Sequence, residues 1–252
     1  MIKIFTVTHK PVPFLMNQLY IPFQVGKESD IINNIQRDNK LDNISEKNPF
    51  FCELTATYWL WKNYDNNKYI GLCHYRRYFN LYPSFFYKRK HSVIRTNQIR
   101  FKKTNQAKKS PIKQQKKIIS LLSKYDMIVP KAIDLNVTIF EDYARFHRIE
   151  DLIETQNIII SMYPEYYSSM EDFFNKETTL RIGNMFISSK KTWNDYHEWL
   201  FSILFQLEKK ITIPEDNYQK RVFGFISERL FNLYLFHNNL KIKEIKTYFI
   251  EN

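Results

Sequence analysis

Residues 69–79 read YIGLCHYRRYF, and the stretch changes character halfway. Tyr69–Cys73 is aromatic, aliphatic and small, which is typical of a buried strand. The second half then places a histidine and two adjacent arginines among tyrosines, with no acidic residue in the stretch. The sequence therefore raises the question of what two cations do at the end of a buried strand.

The rest of the chain predicts the α/β fold to which this strand belongs. Ile2–Thr8 and Tyr20–Gly26 are expected as strands, and Lys27–Asn43 as a polar loop with some helix. A helix is expected from Pro49 to about Asn63, because Ser45 and Asn48 are plausible N-caps and proline suits the first helical position. Further helices are expected over 116–124, 141–163, 166–175, 192–209 and 221–238, and strands over 126–130, 185–188 and 242–249. Alternating strands and helices in the N-terminal half predict one mainly parallel sheet flanked by helices, without a linker that divides the chain.

Composition excludes several protein classes. The 252 residues include only four glycines and 17% aromatics, which disfavours disorder and a glycine-rich nucleotide fingerprint. No apolar run is long enough to span a bilayer, and the N-terminal apolar stretch is too short for a secretory signal. Cys52 and Cys73 alone make no disulfide framework. These features predict a cytoplasmic protein with reduced cysteines.

The positive charge is confined to one segment. The formal net charge is +12, from 38 Lys and Arg against 26 Asp and Glu, and residues 80–125 hold thirteen basic and no acidic residues. The remainder of the chain is therefore close to neutral. Such a segment is either a mobile, solvated loop or a patch that attracts an anionic membrane or phosphates. Because the charge is local, a nucleic-acid-binding protein that uses the interleaved Tyr and Phe residues is the weaker alternative.

Polar residues follow three of the expected strands. They are Thr8-His9-Lys10, Gly26 and the run His74–Arg77. In an open α/β sheet, ligands bind outside the carboxyl ends of the strands. Two arginines there suit a phosphate or diphosphate, because the guanidinium offers paired donors and stays charged. The alternative is that the arginines form surface ion pairs with Glu46 or Glu53.

Acidic residues are candidates for acid–base chemistry. No spacing of His, Cys, Asp or Glu indicates a metal site. His147 and Asp151 share a face of an expected helix, although such pairs are common on helix surfaces. Glu228 lies beside Arg229 in an otherwise apolar helix, where it is either half of a structural ion pair or a catalytic group.

Seven stretches together resemble one bacterial family. They occur in the family's order, namely FTVTHKP, IPFQVG, DNISEKNPFFCELTATYWLWKN, YIGLCHYRRYF, YDMIVPK, GNMFISSKKTWNDYHEWLF and RVFGFISERL. The family was long catalogued as a domain of unknown function, and it comprises capsular and exopolysaccharide glycosyltransferases, some of them similar to galactofuranosyltransferases. The resemblance extends from Ile4 to about Leu235.

The resemblance implies a single GT-A-like domain with a helical C-terminal part. Residues 1–79 would form the nucleotide-sugar-binding half, 80–125 a basic insert, and 126–252 the acceptor and catalytic half. The residues expected to bind the donor are Thr8, His9, Lys10, Gly26, Asn43, Glu53, His74, Tyr75, Arg76, Arg77, Asn184 and Arg221. Many GT-A enzymes hold a divalent metal through Asp-x-Asp, whereas this chain has His74–Arg77 there. We expect the arginines to replace the ion and no cofactor to be needed; Mn²⁺ or Mg²⁺ held by Asp38, Asp42 or Asp216 is the alternative.

The implied reaction is transfer of a sugar, with galactofuranose as one candidate, from a UDP-sugar to a lipid-linked glycan. Inversion needs a base, and Glu228 is the first candidate. Behind it stand Asp142, His147, Asp151 and Asp216. Residues 88–117 are expected to attach the enzyme to the inner face of the cell membrane. A retaining enzyme, a pyranose donor and an inactive assembly partner remain open alternatives.

Overall fold

The computed structural model describes residues 1–11, 15–26, 31, 34–83 and 92–251. The strands are β1 (Ile2–Thr8), β2 (Tyr20–Gln24), β3 (Gln36–Arg37), β4 (Tyr69–His74), β5 (Arg77–Phe79), β6 (Val93–Asn97), β7 (Met127–Pro130), β8 (Ile133–Asp134), β9 (Thr179–Leu180), β10 (Ile187–Ser189), β11 (Ile242–Ile245) and β12 (Thr247–Glu251). The helices are α1 (Asn48–Phe51), α2 (Leu54–Asn63), α3 (Gln98–Lys102), α4 (Asn105–Lys108), α5 (Pro111–Leu122), α6 (Ile139–Phe146), α7 (Ile149–Met162), α8 (Tyr167–Lys176), α9 (Lys190–Lys210) and α10 (Val222–His237).

One sheet of ten strands organises the molecule. Seven strands follow the order β11-β7-β10-β4-β1-β2-β3, and β5, β12 and β6 extend it from β4. β1 is parallel to β2 and β4, and β11 is parallel to β7, whereas β10 runs antiparallel to both of its neighbours. The expectation of a mostly parallel α/β sheet is therefore confirmed. Strands from all three expected segments of the chain belong to this sheet.

The strand β4 lies in the middle of the sheet and is buried on both faces. Side chains alternate between faces along a strand, so Ile70 and Leu72 join one apolar core and Cys73 joins the other. Gly71 is paired with Ile187 of β10, and a β-carbon at Gly71 would lie 2.8 Å from the Ile187 side chain. A larger residue there would force the two strands apart.

Helices cover both faces of the sheet. The larger core lies under α1, α2 and α6–α10, and the smaller one lies under α3 and α5. In the smaller core, Phe101 of α3 stacks on Tyr78 of β5 at 5.1 Å between ring centroids. This layered packing aligns the carboxyl ends of β1 and β4, because their register pairs Val7 with His74.

The helix expected over Pro49–Asn63 is interrupted at Cys52. The backbone of Cys52 has φ 53°, which ends α1, and α2 begins at Leu54. The Asn48 side chain donates to the Cys52 carbonyl at 2.7 Å. The Asn48 side chain therefore joins the Thr55 backbone N–H and hydroxyl as a donor to the Cys52 carbonyl at the break.

The basic segment is folded over residues 92–125, so the mobile-loop interpretation is wrong there. β6 and α3–α5 occupy it, and Asn97, Thr104 and Ser110 cap the three helices. Two buried glutamines anchor it, since Gln106 donates to Gln114 at 2.6 Å and to Tyr20 of β2 at 3.1 Å. Residues 84–91, which include part of the stretch expected to contact a membrane, lie outside the described residues.

Candidate active site

A cavity of about 520 Å³ opens at the carboxyl ends of β1 and β4. Its walls come from both halves of the chain, through Val7, His9, Val25, Asn48, Pro49, Cys52, Glu53, His74, Tyr75, Arg76, Arg77, Gly183, Asn217, Lys220, Arg221, Glu228 and Phe249. The volume falls within the range typical of small-molecule sites. Its position is the one expected for a ligand of an α/β sheet.

The arginine pair is explained by a tight turn. His74 pairs with Arg77 in antiparallel fashion, so Tyr75 and Arg76 form a two-residue connection between β4 and β5. The hairpin places both guanidinium groups on the cavity wall. The arginines were predicted at the donor site from the sequence, whereas β5 was not predicted, because a strand of three residues shows little periodicity.

Neither arginine is neutralised by a carboxylate in the described part of the chain. Arg76 lies over the Tyr75 ring at 5.3 Å, and its buried Nε atom has no hydrogen-bond partner. Arg77 lies 5.4 Å from the centroid of the Phe249 ring. The alternative of surface ion pairs with Glu46 or Glu53 is therefore wrong for the described residues. Arg77 is close enough to Glu228 to affect its pKa, but neither arginine has a carboxylate at ion-pair distance among the described residues, which favours an anionic ligand.

Glu228 reaches the same cavity from α10. Its Oε1 atom accepts the Gly183 backbone N–H at 2.6 Å, and its Oε2 atom lies 3.6 Å from Arg229 Nη1. Burial raises the pKa of Glu228 above its ordinary value, although Arg229 and the Gly183 bond act against the increase. A carboxylate with a raised pKa on a cavity wall is a candidate proton acceptor.

Gly183 connects three side chains of the cavity. Besides its bond to Glu228, its carbonyl accepts a hydrogen bond from His74 Nε2. Burial lowers the pKa of His74, so the ring is neutral with its proton on Nε2. Gly183 has φ +97°, and a β-carbon there would lie 2.7 Å from Arg77 Nη1. Only glycine combines this backbone with such close approach of the guanidinium.

Asn184 holds residues of the site in position through its side-chain hydrogen bonds. It does not line the cavity itself, but its Nδ2 atom donates to Glu53 Oε1 and to Ser227 Oγ, each at 2.8 Å. The expected residues Glu53 and Asn184 are thus brought together, with Glu53 on the wall. Asn184 is a positioning residue, because it ties α10 to the segment between α1 and α2.

A third arginine closes the cavity on the α10 side. Arg221 Nε donates to Cys52 Sγ at 3.3 Å. Burial raises the pKa of the Cys52 thiol to about 11, so it stays protonated near neutral pH. The neighbouring Lys220 bonds Asn217 Oδ1 at 2.6 Å. Arg221 was predicted at the donor site from the sequence. Lys220 and Asn217 also line the cavity, but they were not predicted because they belong to no sequence pattern that indicates a site.

Four expected base candidates do not line the cavity. Asp142 Oδ2 accepts from Arg229 Nη2 at 2.7 Å in a buried ion pair. Arg229 therefore lies closer to Asp142 than to its sequence neighbour Glu228, which is 3.6 Å away. Asp151 lies 3.3 Å from Arg148, while His147 stacks on Phe225 at 4.0 Å. Asp216 is exposed and accepts the backbone N–H groups of residues 218 and 219 at 2.8 Å each. These contacts are structural and leave Glu228 as the candidate in the cavity.

Besides Asn184, four expected donor-site residues are not on the cavity wall, namely Thr8, Lys10, Gly26 and Asn43. Thr8 is buried and donates its hydroxyl to the Lys10 carbonyl at 2.8 Å. Gly26 has φ +88°, and a β-carbon there would come within 3.2 Å of the Asn48 side chain. Asn43 accepts the Ser45 backbone N–H at 3.2 Å and so shapes the turn before α1. His9 does line the cavity and packs edge-on against Tyr75.

The cavity does not offer the ligands of a divalent metal at the end of β4. The side chains there are His74 and the two arginines, and cations repel an ion that prefers carboxylates. Within the described ranges, no three His, Cys, Asp or Glu residues come together as a metal cluster. Asp42 accepts the Tyr58 hydroxyl at 3.0 Å, and Asp38 is buried with its pKa raised to about 6 by that burial.

Several wall residues could not be found from sequence. Phe249 comes from β12, the last strand, and it reaches the cavity only because β12 pairs with β5. Gly183 immediately precedes Asn184, which was expected at the donor site, and this adjacency was the one feature of the sequence that pointed to Gly183. Across the described part of the chain, no helix is both long and apolar enough to cross a membrane.

Comparison with known proteins agrees with this architecture. WbbM, described as a bifunctional glycosyltransferase and solved in its apo form, aligns with all of this chain at a TM-score of 0.88 and 33% sequence identity. The alignment covers 45% of that protein, so the chain spans less than half of its length. No curated protein matches the chain significantly. Residues 3–239 match the model of the family described as Domain of unknown function (DUF4422), and the chain therefore belongs to that family.

Proposed function

We propose that this chain is an inverting glycosyltransferase that uses a nucleoside diphosphate sugar, with UDP as the expected nucleotide. The observation that carries the proposal is the cavity shared by Glu228, Arg76 and Arg77, the two arginines having no carboxylate at ion-pair distance in the described part of the chain. Similarity to a bifunctional glycosyltransferase over the whole of this chain supports it. UDP-galactofuranose is the first donor to test.

In the proposed step, an acceptor hydroxyl oxygen attacks the anomeric carbon of the sugar. The hydroxyl proton passes to Glu228, whose raised pKa makes it a stronger base than an ordinary carboxylate. The bond between the anomeric carbon and the diphosphate oxygen breaks, and its electron pair stays on that oxygen. Arg76 and Arg77 stabilise the negative charge that develops on the leaving diphosphate.

The cationic wall leads us to propose that transfer needs no divalent metal. Two guanidinium groups supply fixed positive charge at the place where a metal would otherwise neutralise the diphosphate. Arg221, a third cation of the same wall, adds to this field. The proposal makes the donor site complete without a bound ion.

The acceptor is proposed to be a lipid-linked glycan, which would be reached from the cytoplasmic face of the membrane. Support comes from the face formed by α3–α5, hereafter the basic face. Ile99 and Ile112 on this face are 70% and 60% exposed among lysines. Exposed isoleucines surrounded by basic residues suit the interface of an anionic bilayer.

A thermal-shift screen tests the proposed donor chemistry. UDP-, GDP-, CMP- and dTDP-sugars are added in EDTA and, separately, in Mn²⁺, because a ligand that binds only the native state raises the melting temperature. We expect UDP-sugars to raise it by several degrees in EDTA as well as in Mn²⁺. Stabilisation that requires Mn²⁺ contradicts the metal-independent step. If no nucleotide sugar stabilises the chain, it is an inactive assembly partner instead.

A further inference from the structure

A second cavity of about 250 Å³ lies beside the first and shares two wall residues with it. The shared residues are Arg77 and Phe249. The remaining lining residues are Val93, Arg95, Pro130, Lys131, Ile133, Ile182, Met185 and Thr247. Ile182 lines the second cavity while the adjacent Gly183 lines the first.

A cross-strand arrangement of three side chains divides the two cavities. Phe249 of β12 is paired with Arg77 of β5 on one side and with Arg95 of β6 on the other. Paired residues project to the same face of a sheet. The guanidinium carbons of Arg77 and Arg95 lie 5.4 and 5.5 Å from the centre of the Phe249 ring. The ring thus lies between two cations, one of which faces both cavities.

The second cavity combines an apolar surface with positive charge. Three of its lining residues are cationic and none is acidic. Lys131 has no carboxylate within ion-pair distance among the described residues, and Arg95 pairs only with Glu251 at 3.0 Å. The Arg95 side chain in that pair is 72% exposed, and an exposed ion pair contributes little free energy, so a ligand can replace Glu251 at small cost. A ligand that suits these walls carries an anionic group on a ring or an apolar portion.

We propose that the second cavity binds the anionic part of the acceptor, an inference that rests on the proposed glycosyl transfer. A phosphoryl or carboxyl group contacts Arg95 and Lys131, and the attached ring packs on Phe249 and Ile182. The volume suits one sugar ring or one headgroup and not an oligosaccharide. The reacting hydroxyl then has to extend past Arg77 and Phe249, which line both cavities, to reach Glu228 in the first.

Calorimetric titrations with the first cavity saturated by UDP test the proposal. Inorganic pyrophosphate represents a lipid diphosphate, and methyl glucuronide represents an acidic sugar. We expect one of the two probes to bind, and the double variant Arg95→Ala/Lys131→Ala to weaken that binding at least tenfold while UDP affinity changes less than twofold. The control variant Lys176→Ala/Lys191→Ala removes two lysines from exposed helical pairs and should bind as the unaltered chain does.

Two results overturn the proposal. One is that neither probe binds to the UDP-saturated chain, and the other is that the double variant binds its probe as tightly as the unaltered chain. Failure of UDP itself to bind defeats the proposed function, and with it the identification of the ligand as an acceptor, but it leaves anion binding by the second cavity to be tested separately. The titrations are then repeated in an Arg76→Met background, which removes a cation of the first cavity and leaves the second intact.

Discussion

The guanidinium of Arg77 lies against the backbone of Gly183, where a β-carbon would come within 2.7 Å of Nη1 and the arginine would have to move. The same glycine donates its N–H to Glu228 and accepts from His74. A residue without a side chain therefore fixes the relative positions of the candidate base, a candidate phosphate-binding cation and a neutral histidine. This relationship yields the first prediction.

Gly183→Ala should weaken UDP binding by about tenfold, because the new methyl group would lie 2.7 Å from Arg77 Nη1 and displace it. Isothermal titration with UDP measures the effect. Gly26→Ala is the comparison, since Gly26 also has positive φ but its β-carbon would meet Asn48, an uncharged residue of the same wall, and not an arginine. Equal losses in the two variants would indicate backbone strain alone.

Arg76→Met should weaken UDP binding more than tenfold and yet leave the free energy of unfolding unchanged or slightly higher. The guanidinium has a buried nitrogen without a partner, so its removal relieves an unfavourable burial. Urea unfolding and UDP titration are compared on the same samples. Arg145→Met on the exposed surface of α6 is the control. A stability loss above about 1 kcal/mol would show that Arg76 has a structural role.

Glu228→Gln should lower the transfer rate at least a hundredfold while UDP affinity changes little, because glutamine cannot accept the hydroxyl proton. In the unaltered enzyme, the rate should fall as pH decreases through the Glu228 pKa, which burial places above 4.5. Initial rates from pH 4.5 to 9 provide the profile. Asp151→Asn, at a carboxyl outside the cavity whose pKa burial also raises, should leave the rate intact. An unchanged rate in Glu228→Gln would remove Glu228 as the base.

Asp38→Asn should raise the free energy of unfolding at pH 8 by about 1–3 kcal/mol, since each unit of pKa shift corresponds to about 1.4 kcal/mol. Burial raises the Asp38 pKa from 3.8 to about 6, so the folded state holds the proton more tightly than the unfolded state. The unaltered protein is therefore destabilised as pH rises through this window. Urea unfolding at pH 4 and pH 8 is the measurement. The same gain at both values would contradict the explanation by ionisation.

Binding to anionic vesicles should depend on the basic face. Replacing Lys102, Lys113, Lys116 and Lys117 with Gln is expected to weaken binding to phosphatidylglycerol vesicles at least tenfold, because each basic residue near the surface contributes about 1 kcal/mol. Cosedimentation gives the affinity. The control replaces Lys176, Lys191, Lys209 and Lys210 on α8 and α9. Equal binding of the two variants would count against a membrane role for this face.

Much of the sheet was predictable because its central strands have strong local patterns. Ile2–Thr8 is β-branched and alternating, and its bounds were predicted as the structure has them. The break at Cys52 was not, since positive φ at a cysteine depends on a side-chain bond from Asn48. β5, β6, α3 and α4 were likewise missed, because their stability comes from distant partners, whereas the helix expected over 116–124 overlaps α5.

The residues of the site likewise fall into those that local sequence indicates and those that depend on tertiary contacts. His74–Arg77 and Glu228 could be proposed because unusual charge appears within apolar stretches. Asp142 was equally reasonable by residue type, but its partner Arg229 is set by helix packing and cannot be inferred from spacing. The pair of Asp151 with Arg148 is local, three residues apart, and its spacing was a signal that the sequence did offer. Residue type predicts which chemistry is available, whereas position in the cavity depends on tertiary contacts.

The position of β12 between β5 and β6 has a consequence for how the protein is made. Phe249 completes the cavity wall, yet β12 is synthesised long after the Arg77 that it contacts. A nascent chain therefore carries the arginine hairpin with the backbone edges of β5 and β6 still open, and exposed strand edges promote aggregation. Closure of this gap joins β12 to β5 and β6 late in folding, so dependence on chaperones should concentrate on the pairing of β12.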